Sequence, residues 1–299
     1  MENGILLLDK PGGISSAQAL AQLKKKLKLN KLGHAGTLDP MATGLLVVLA
    51  GRATRLAAYA EKGEKIYSGT IQFGIDTDSN DISGRIIARS DRIPSFEQVA
   101  REVSCFIGEF RQVPPLVSAC KVGGERAYAL ARREGKSDVQ LKPRLVRVSN
   151  FEIRPGTDSK CYIFRVQCSK GTYVRALARD LGRRLECPAC LASLRREASW
   201  PYKVEQAKSL ELISLEDMLD WQTLFPNAVR LEVEARDLHR LRCGDQGVLR
   251  QLSERMSLLK NAVGCQALYG AAGHGRVSGL LVKEDGKWTY GVNVDDTGV

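Results

Sequence analysis

The sequence contains no run of apolar residues long enough to cross a membrane. A membrane helix needs about 18 or more such residues, and no stretch approaches that length. The first apolar run, residues 4–8, ends at Asp9 and Lys10, so the chain shows no secretory leader either. No internal repeat or low-complexity tract is visible. These absences predict a globular cytoplasmic protein.

Cysteine is present but does not form a metal-binding pattern. The eight cysteines are scattered, and only Cys187 and Cys190 form a CxxC. A four-thiolate zinc site needs a second such pair, which is missing. We therefore expect reduced structural thiols, no bound metal and no cofactor.

Basic residues outnumber acidic ones. The 299 residues include 45 Lys and Arg against 34 Asp and Glu, which gives a formal net charge of +11. Such a charge attracts polyanions, and nucleic acid is the leading partner class. Charge alone leaves open a basic surface without a partner. The length suits one large domain and a small appendage, and 43% hydrophobic residues suffice for a sizeable core.

The pattern of apolar residues predicts an α+β protein. Residues 5–8 read as a buried strand that enters a turn, and a helix follows whose N-cap is Ser15 or Ser16. Residues 30–43 are predicted as a long functional loop before the apolar run 45–50. A capping box begins at Ser95. Further strands are predicted over residues 67–73, 145–153 and 162–168, and further helices over residues 125–133, 173–185 and 209–221.

The sequence also predicts two domains. Near Pro226 the pattern changes to short strands and glycine turns, which places the predicted domains at residues 1–226 and 227–299.

The segment with the clearest chemistry is GHAGTLDPMATG, residues 33–44. Its glycines allow a ligand to approach closely, and Pro40 favours an extended backbone at Asp39. A carboxylate would thus be held on a rigid loop. An isolated Asp-Pro pair is more often a structural turn, so this segment by itself leaves both interpretations open.

This segment resembles the signature of the TruB family of tRNA pseudouridine synthases, in which the aspartate is the catalytic nucleophile. The resemblance covers about residues 4–200 and includes GILLLDKP at 4–11, GRATR at 51–55, KIY at 65–67, VPP at 113–115, SACK at 118–121 and SKGTYVR at 169–175. One departure is Ala35, where many relatives carry Thr or Ser. The resemblance implies a pseudouridine synthase fold around a mixed, largely antiparallel sheet, followed by a small β-rich PUA-like domain that binds RNA. A β appendage with a purely structural role is the alternative for this C-terminal part.

The resemblance also implies a reaction and its residues. Converting uridine to pseudouridine moves the C1′ bond from N1 to C5 of uracil and needs neither a redox reagent nor a metal. Asp39 would attack the nucleotide or remove its 2′ proton, and the sequence does not decide between these routes. An ionised carboxylate in a partly dry pocket needs a nearby cation, for which Arg175 is the candidate. Tyr173 would act on the C5 proton or orient the base.

The remaining predicted site residues concern RNA binding. A base must leave its stack before it can be attacked. The resemblance assigns Tyr67 to stacking on the target base, His34 to holding the everted nucleotide, and Leu194 to the uracil pocket. Backbone phosphates are the predicted partners of four basic residues, Lys10, Lys121, Arg195 and Arg196. Taken singly, each of these residues also fits a role in core packing, in a turn or as a solvated charge.

Three functions fit the sequence. The first is a monomeric enzyme that forms pseudouridine 55 in the T-arm of tRNA without a guide RNA. The second is a guide-dependent enzyme inside a ribonucleoprotein, and the third is a non-catalytic RNA-binding module or RNA-folding chaperone with the same fold. The absence of long basic tails and the sequence LDPMATG at residues 38–44 favour the first function. An intact set of Asp39, Tyr67, Tyr173 and Arg175 argues against the third.

Overall fold

The fold was analysed in a computed structural model. It describes residues 3–115, 121–122, 125–126, 141–243, 245–258, 266–271, 277–284 and 287–294. The strands are β1 Gly4–Lys10, β2 Leu32–Ala35, β3 Thr43–Ala50, β4 Lys65–Phe73, β5 Ile75–Thr77, β6 Ile86–Arg89, β7 Gly108–Gln112, β8 Lys121–Val122, β9 Glu125–Arg126, β10 Arg144–Pro155, β11 Cys161–Cys168, β12 Ala189–Ser199, β13 Tyr202–Lys203, β14 Val229–Val233, β15 Gln266–Ala271, β16 Val277–Glu284 and β17 Lys287–Asn293. The helices are α1 Ser16–Leu27, α2 Ala57–Ala60, α3 Phe96–Ser104, α4 Val174–Arg184, α5 Ala235–Arg242 and α6 Gln246–Leu258.

A large mixed sheet forms the framework of the first part of the chain. Its strand order is β1-β3-β12-β4-β11-β10-β7, with β2 on β3 and β13 on β12. All neighbours are antiparallel except β3 and β12, which run parallel. The predicted mixed, largely antiparallel sheet is therefore confirmed.

Strand β3 is apolar along almost its whole length because both of its faces are covered. Leu46 and Val48 belong to one hydrophobic cluster, which also contains residues of α1 and α4. Leu45, Val47 and Leu49 belong to a second cluster on the other face. A strand covered on both sides reads as a continuous apolar run instead of an alternating one.

The capping box predicted at Ser95 is present, and the N-cap predicted at Ser15 or Ser16 is Ser15, which also forms a capping box. The Ser15 side chain accepts a hydrogen bond from the Gln18 backbone N–H, and the Gln18 side chain bonds back to Ser15. Ser95 and Gln98 make the same reciprocal pair at the start of α3. Each pair satisfies backbone N–H groups that have no partner within the helix, so both helices begin where the sequence predicted.

Three predictions of local structure need correction. The helix predicted over residues 209–221 is wrong, since this segment contains only 3₁₀ turns at Leu215–Asp217 and Trp221–Leu224. The backbone of this segment instead forms hydrogen bonds with β1, where Ile5 and Leu219 exchange two N–H···O bonds of 2.9 and 2.8 Å. The loop predicted over residues 30–43 includes strand β2, which pairs with β3. The helix predicted over residues 125–133 begins in strand β9, and the rest of that segment lies outside the described residues.

The C-terminal region contains a second sheet of order β14-β15-β16-β17 and the helices α5 and α6. One face of this sheet forms its own hydrophobic cluster with both helices. Leu268, Leu280 and Val294 instead join the cluster that contains Leu45 and Leu49 of β3. The two sheets therefore share a hydrophobic core, and the boundary near Pro226 remains a prediction.

Neither a membrane span nor a metal cluster appears in the described part of the chain. No helix there is both long and apolar enough to cross a bilayer. No three or more His, Cys, Asp or Glu side chains converge there as metal ligands would. The CxxC pair is buried and free of a disulfide, and burial raises the pKa of the Cys190 thiol to about 12.

Candidate active site

The loop that carries Asp39 is fixed by contacts with the start of α1. Ser16, which is buried, bonds to both backbone groups of Leu38: its Oγ lies 2.9 Å from the Leu38 N and 3.0 Å from the Leu38 O. On the other side of Asp39, the Gly13 N–H donates to the Pro40 O at 2.8 Å. The backbone is thus held immediately before and after the predicted nucleophile.

Gly44 allows this loop to continue directly into the sheet. Its φ is +99°, a conformation that residues with a side chain rarely adopt. A Cβ at this position would lie 2.4 Å from the backbone oxygen of Arg196 on the neighbouring strand β12. Only glycine permits so close an approach of β3 to β12, which brings Asp39 beside residues that β12 carries.

Asp39 and Arg175 form a bidentate ion pair. The Arg175 Nε donates to one carboxylate oxygen at 2.8 Å and Nη2 donates to the other at 3.0 Å. The arginine side chain is only 5% exposed, whereas that of Asp39 is 33% exposed. Parallel N–H···O bonds of this kind are strong and fix the orientation of a carboxylate. Asp39 is thus held as an oriented anion with one side open.

Arg175 is held in turn by the segment between β5 and β6. Its Nη1 donates to the Ser79 O at 2.8 Å and lies 3.6 Å from the buried carboxylate of Asp81. Asp81 also accepts bonds from Ser79 Oγ at 2.9 Å and from the Ser83 N at 3.0 Å. Sequence reasoning missed Asp81, which lies in the acidic, turn-rich segment 76–84. Two carboxylates thus share one guanidinium.

A cavity of about 260 Å³ opens beside this ion pair. Most of the predicted site residues meet there, although they come from distant parts of the chain. Its lining includes Gly36, Asp39, Lys65, Tyr67, Tyr173, Arg175, Leu194 and Arg196. Tyr67 and Leu194 are both largely buried and also belong to the hydrophobic core. The cavity therefore combines an apolar wall with an anion and its counterion.

Sequence reasoning missed the contact that fixes Tyr173. The buried side chain of Gln112, at the end of β7, accepts a bond from the Tyr173 N at 2.9 Å and donates to the Tyr173 O at 3.2 Å. Tyr173 is the N-cap of α4, and Arg175 lies in the first turn of this helix. The position of Gln112 directly before Val113-Pro114-Pro115 was the only signal in the sequence.

His34 lies on β2 and is not part of the cavity lining. Its Nδ1 atom is buried and makes no hydrogen bond with any residue that the structure describes. Burial, together with the positive charge of Arg196, lowers the pKa of the imidazole, while Glu61 opposes the shift. A neutral imidazole is therefore favoured, and the role of His34 toward a nucleotide remains a prediction.

Two of the four predicted phosphate contacts do not fit the structure. Lys10 is fully buried, and its Nζ donates to the backbone oxygens of Pro11 and Ile14, both at 2.7 Å. Arg196 is equally buried and donates to Leu45 O at 2.6 Å and Gly36 O at 3.0 Å. Both cations stabilise the backbone of the site and are not available to phosphates on the surface.

The other two predicted phosphate contacts have different outcomes. Arg195 lies at the surface, where it forms a bidentate pair with Asp9 at 3.0 and 2.7 Å. Its contact with RNA remains a prediction. Lys121 belongs to β8, and its side chain lies outside the described part of the structure.

Lys65 provides a test of the electrostatics of the cavity. Its ammonium donates to the Glu61 O and the Gly63 O, both at 2.6 Å. Burial, followed by the charge of Arg196, lowers the pKa of Lys65 to about 8. Between about pH 8 and 10.5 the unfolded chain therefore holds more protons at this residue than the folded chain, so this lysine makes unfolding less favourable as the pH rises.

We expect the stability difference between the wild type and Lys65→Met to grow in favour of the wild type from about pH 7 to 9.5. Urea unfolding at several pH values measures it, and comparison with the variant cancels the titration of other groups. Lys160→Met, at an exposed position, is the control. A difference for Lys65→Met that stays constant with pH would show that the folded protein does not depress this pKa.

Comparison with known proteins identifies the family. The family described as "TruB family pseudouridylate synthase (N terminal domain)" matches residues 24–174. The chain belongs to the TruB family. The matched segment includes Asp39, Tyr67 and Tyr173, and it ends one residue before Arg175. The predicted enzyme class, an isomerase that makes pseudouridine, is confirmed.

The chain is similar to enzymes named tRNA pseudouridine synthase B. The protein of Opitutus terrae is 43% identical over 212 residues, which are 71% of this chain and 87% of the relative. That of Bordetella pertussis is 44% identical over 214 residues, which are 71% of this chain and 86% of the relative. The similarity thus spans most of each relative.

Solved structures share the fold over almost the whole chain. A Cbf5-Nop10-Gar1 complex matches with a TM-score of 0.65 and 20% identity, covering 98% of this chain and 84% of the other. An archaeal box H/ACA Nop10-Cbf5 complex matches with a TM-score of 0.62 and 20% identity, covering 98% and 85%. At this identity the likeness concerns the fold alone. The predicted α+β fold with a C-terminal PUA-like sheet is confirmed.

Proposed function

We propose that this TruB-family enzyme converts uridine 55 in the T-arm of tRNA to pseudouridine without a guide RNA and with Asp39 as the nucleophile. The observation that supports this most is the bidentate Asp39–Arg175 pair at the wall of the cavity. The names of the relatives at 43–44% identity support tRNA as the substrate. The composition, with a net charge of +11, suits a polyanionic partner.

The proposed reaction rearranges one nucleotide without any external reagent. The C1′–N1 bond of uridine breaks, uracil rotates within the cavity, and a C1′–C5 bond forms. C5 then loses its proton, and N1 gains one, so atoms and electrons balance. Asp39 would either bond transiently to C1′ or remove the 2′ proton to give a glycal. In both routes Arg175 orients the carboxylate through its two hydrogen bonds, while the exposed side of Asp39 faces the nucleotide.

The cavity wall would hold the uracil during its rotation. An everted base needs an aromatic face and apolar contacts to replace the stacking that it loses. Tyr67 and Leu194, which both line the cavity, supply these surfaces. Tyr173 borders the same space at the start of α4 and is the candidate for assisting loss of the C5 proton. Gln112 holds its backbone in place.

The test of the function is incubation of the purified chain with an unmodified tRNA transcript and no other RNA. We expect pseudouridine at position 55, which chemical mapping would detect. A transcript with cytidine at that position serves as the control and should remain unmodified. Modification that required an added guide RNA would contradict the proposal, as would product only at another position.

We expect Tyr67→Leu to lower the single-turnover rate at saturating tRNA by about tenfold to a hundredfold. The change removes an aromatic face, and base–aromatic stacking contributes about 1–3 kcal/mol. Because the lost contact carries no charge, the dependence of binding on salt should not change. Tyr162→Leu, which alters a buried tyrosine away from the cavity, controls for core damage. An unchanged rate with an altered salt slope would place Tyr67 on the outer RNA contact surface.

A further inference from the structure

We propose that an exposed lysine stripe at the end of α1, formed by Lys24, Lys25, Lys28 and Lys31, binds backbone phosphates of the substrate RNA outside the catalytic cavity. The proposal rests on the proposed function, because it takes the RNA that enters the cavity as its partner. All four side chains are exposed. None of them takes part in an ion pair of the described structure.

The packing of α1 separates this stripe from the protein core. Ala19 and Leu23 are fully buried on one side of the helix and belong to the main hydrophobic cluster. Lys26 is not part of the stripe, because its ammonium binds within the protein: it donates to the Leu210 O at 2.8 Å and also to the Glu211 O. Lys24 and Lys28 are four residues apart and therefore lie on the same side of the helix.

The charge of this segment is all of one sign. Between Lys10 and Asp39 the sequence contains no Asp or Glu. The helix dipole favours cations in the last turn of a helix, which explains in part why Lys24 and Lys25 occur there. The effect fades beyond that turn. Lys28 is the C-cap and Lys31 follows the helix, so the dipole does not explain them. Neighbouring like charges repel each other, and a bound polyanion would remove this repulsion.

The position of the stripe relative to the cavity suits an RNA helix. α1 begins at Ser16, which bonds to Leu38 beside the nucleophile, and its 12 residues extend about 18 Å from that point. After the stripe, β2 leads back to Gly36 in the cavity lining. The proposal places the RNA helix that flanks the reacting nucleotide along this distance. Lysines recognise phosphates without regard to sequence, so the expected contact is with the backbone.

The test compares two variants that lower the net charge by the same amount. In the stripe variant Lys24, Lys25, Lys28 and Lys31 all become glutamine, a residue that maintains helices well. In the control variant four dispersed exposed residues, Arg101, Arg154, Lys160 and Lys203, become glutamine. Binding of each protein to an unmodified tRNA transcript is measured from about 50 to 200 mM salt. Circular dichroism checks that the helix content is unchanged.

We expect the stripe variant to bind at least about tenfold more weakly near 150 mM salt. Its slope of log affinity against log salt should fall by about two to three relative to the wild type, because each lost phosphate contact removes about 0.7–0.9 from the slope. The control variant should change the slope by less than one. The single-turnover rate at saturating tRNA should stay within about twofold of the wild type, since the stripe lies outside the cavity.

Equal slopes for the two variants would overturn the proposal, because the effect would then reflect net charge alone. An unchanged slope of log affinity against log salt in the stripe variant would overturn the proposal as well. It would show that these lysines are only solvated surface charges. The proposed function fails on a different result, namely absence of pseudouridine at position 55 after incubation of the wild type without a guide. The binding comparison still decides on the stripe in that case, because it requires no turnover.

Discussion

Asp39→Asn is expected to lower pseudouridine formation by at least about four orders of magnitude, which in practice abolishes it. The amide keeps the size of the side chain but loses the charge that makes the carboxylate a nucleophile or a base. Binding of tRNA should stay within a few-fold of the wild type, because Asp39 contributes little to the surface that RNA would contact. Single-turnover assays at saturating tRNA and a separate binding titration measure the two effects.

Asp78→Asn is the matched control for this prediction. Asp78 is also an aspartate near the site, but it is exposed and pairs with Arg85 on the surface of the β5–β6 segment. Its replacement should leave turnover within about twofold. Measurable multiple turnover by purified Asp39→Asn would rule out Asp39 as the nucleophile. Loss of binding along with activity would instead indicate a structural role for this carboxylate.

Arg175→Lys is expected to lower the single-turnover rate by at least about a hundredfold. Lysine keeps the positive charge, but it cannot make the two parallel bonds that orient Asp39 and at the same time donate to the Ser79 O. The buried carboxylate of Asp81 would also lose part of the nearby positive charge that compensates its own charge. We therefore expect the free energy of unfolding to fall by about 1–3 kcal/mol, measured by urea unfolding.

Arg179→Lys separates the catalytic effect from the structural one. Arg179 lies one turn further along α4, is buried to a similar extent, and donates to the Val113 O at 2.8 Å. It does not line the cavity. This variant should lose stability by a similar amount but keep its rate at saturating tRNA within about fivefold. If both variants lost activity equally, Arg175 would act only through the fold of α4.

The corrected elements show where sequence patterns were insufficient. Residues 209–221 have apolar residues at a spacing typical of a helix, but Leu219 pairs with Ile5 of β1, and Lys208, just before the segment, also bonds to β1. Side chains also compete for backbone groups there: the Ser214 N donates to an Asp217 carboxylate oxygen at 2.9 Å. Such local bonds offer the chain an alternative to a helix. Tertiary pairing therefore overrode the local pattern.

Features that depend on neighbouring residues could be predicted from the sequence. The capping boxes at Ser15 and Ser95 were predictable because both partners of each bond lie within three residues of one another. The helix before the Asp39 loop and the apolar strand after it were also predictable, whereas β2 within the loop was not. The resemblance of residues 33–44 to a family signature added the prediction that Asp39 is the nucleophile, and the resemblance of residues 170–175 added Arg175 as its predicted partner.

Only the tertiary structure decided which charged side chains reach the surface and which hold the site together. The sequence does not distinguish Lys10, at the end of the edge strand β1, and Arg196, on the inner strand β12, from solvated cations, yet both are buried and donate to backbone oxygens of the site. Asp81 and Gln112 acquire their contacts through pairs 94 and 61 residues apart in the chain. Burial and long-range hydrogen bonds depend on how distant strands and helices pack, and no local pattern of residues specifies that packing.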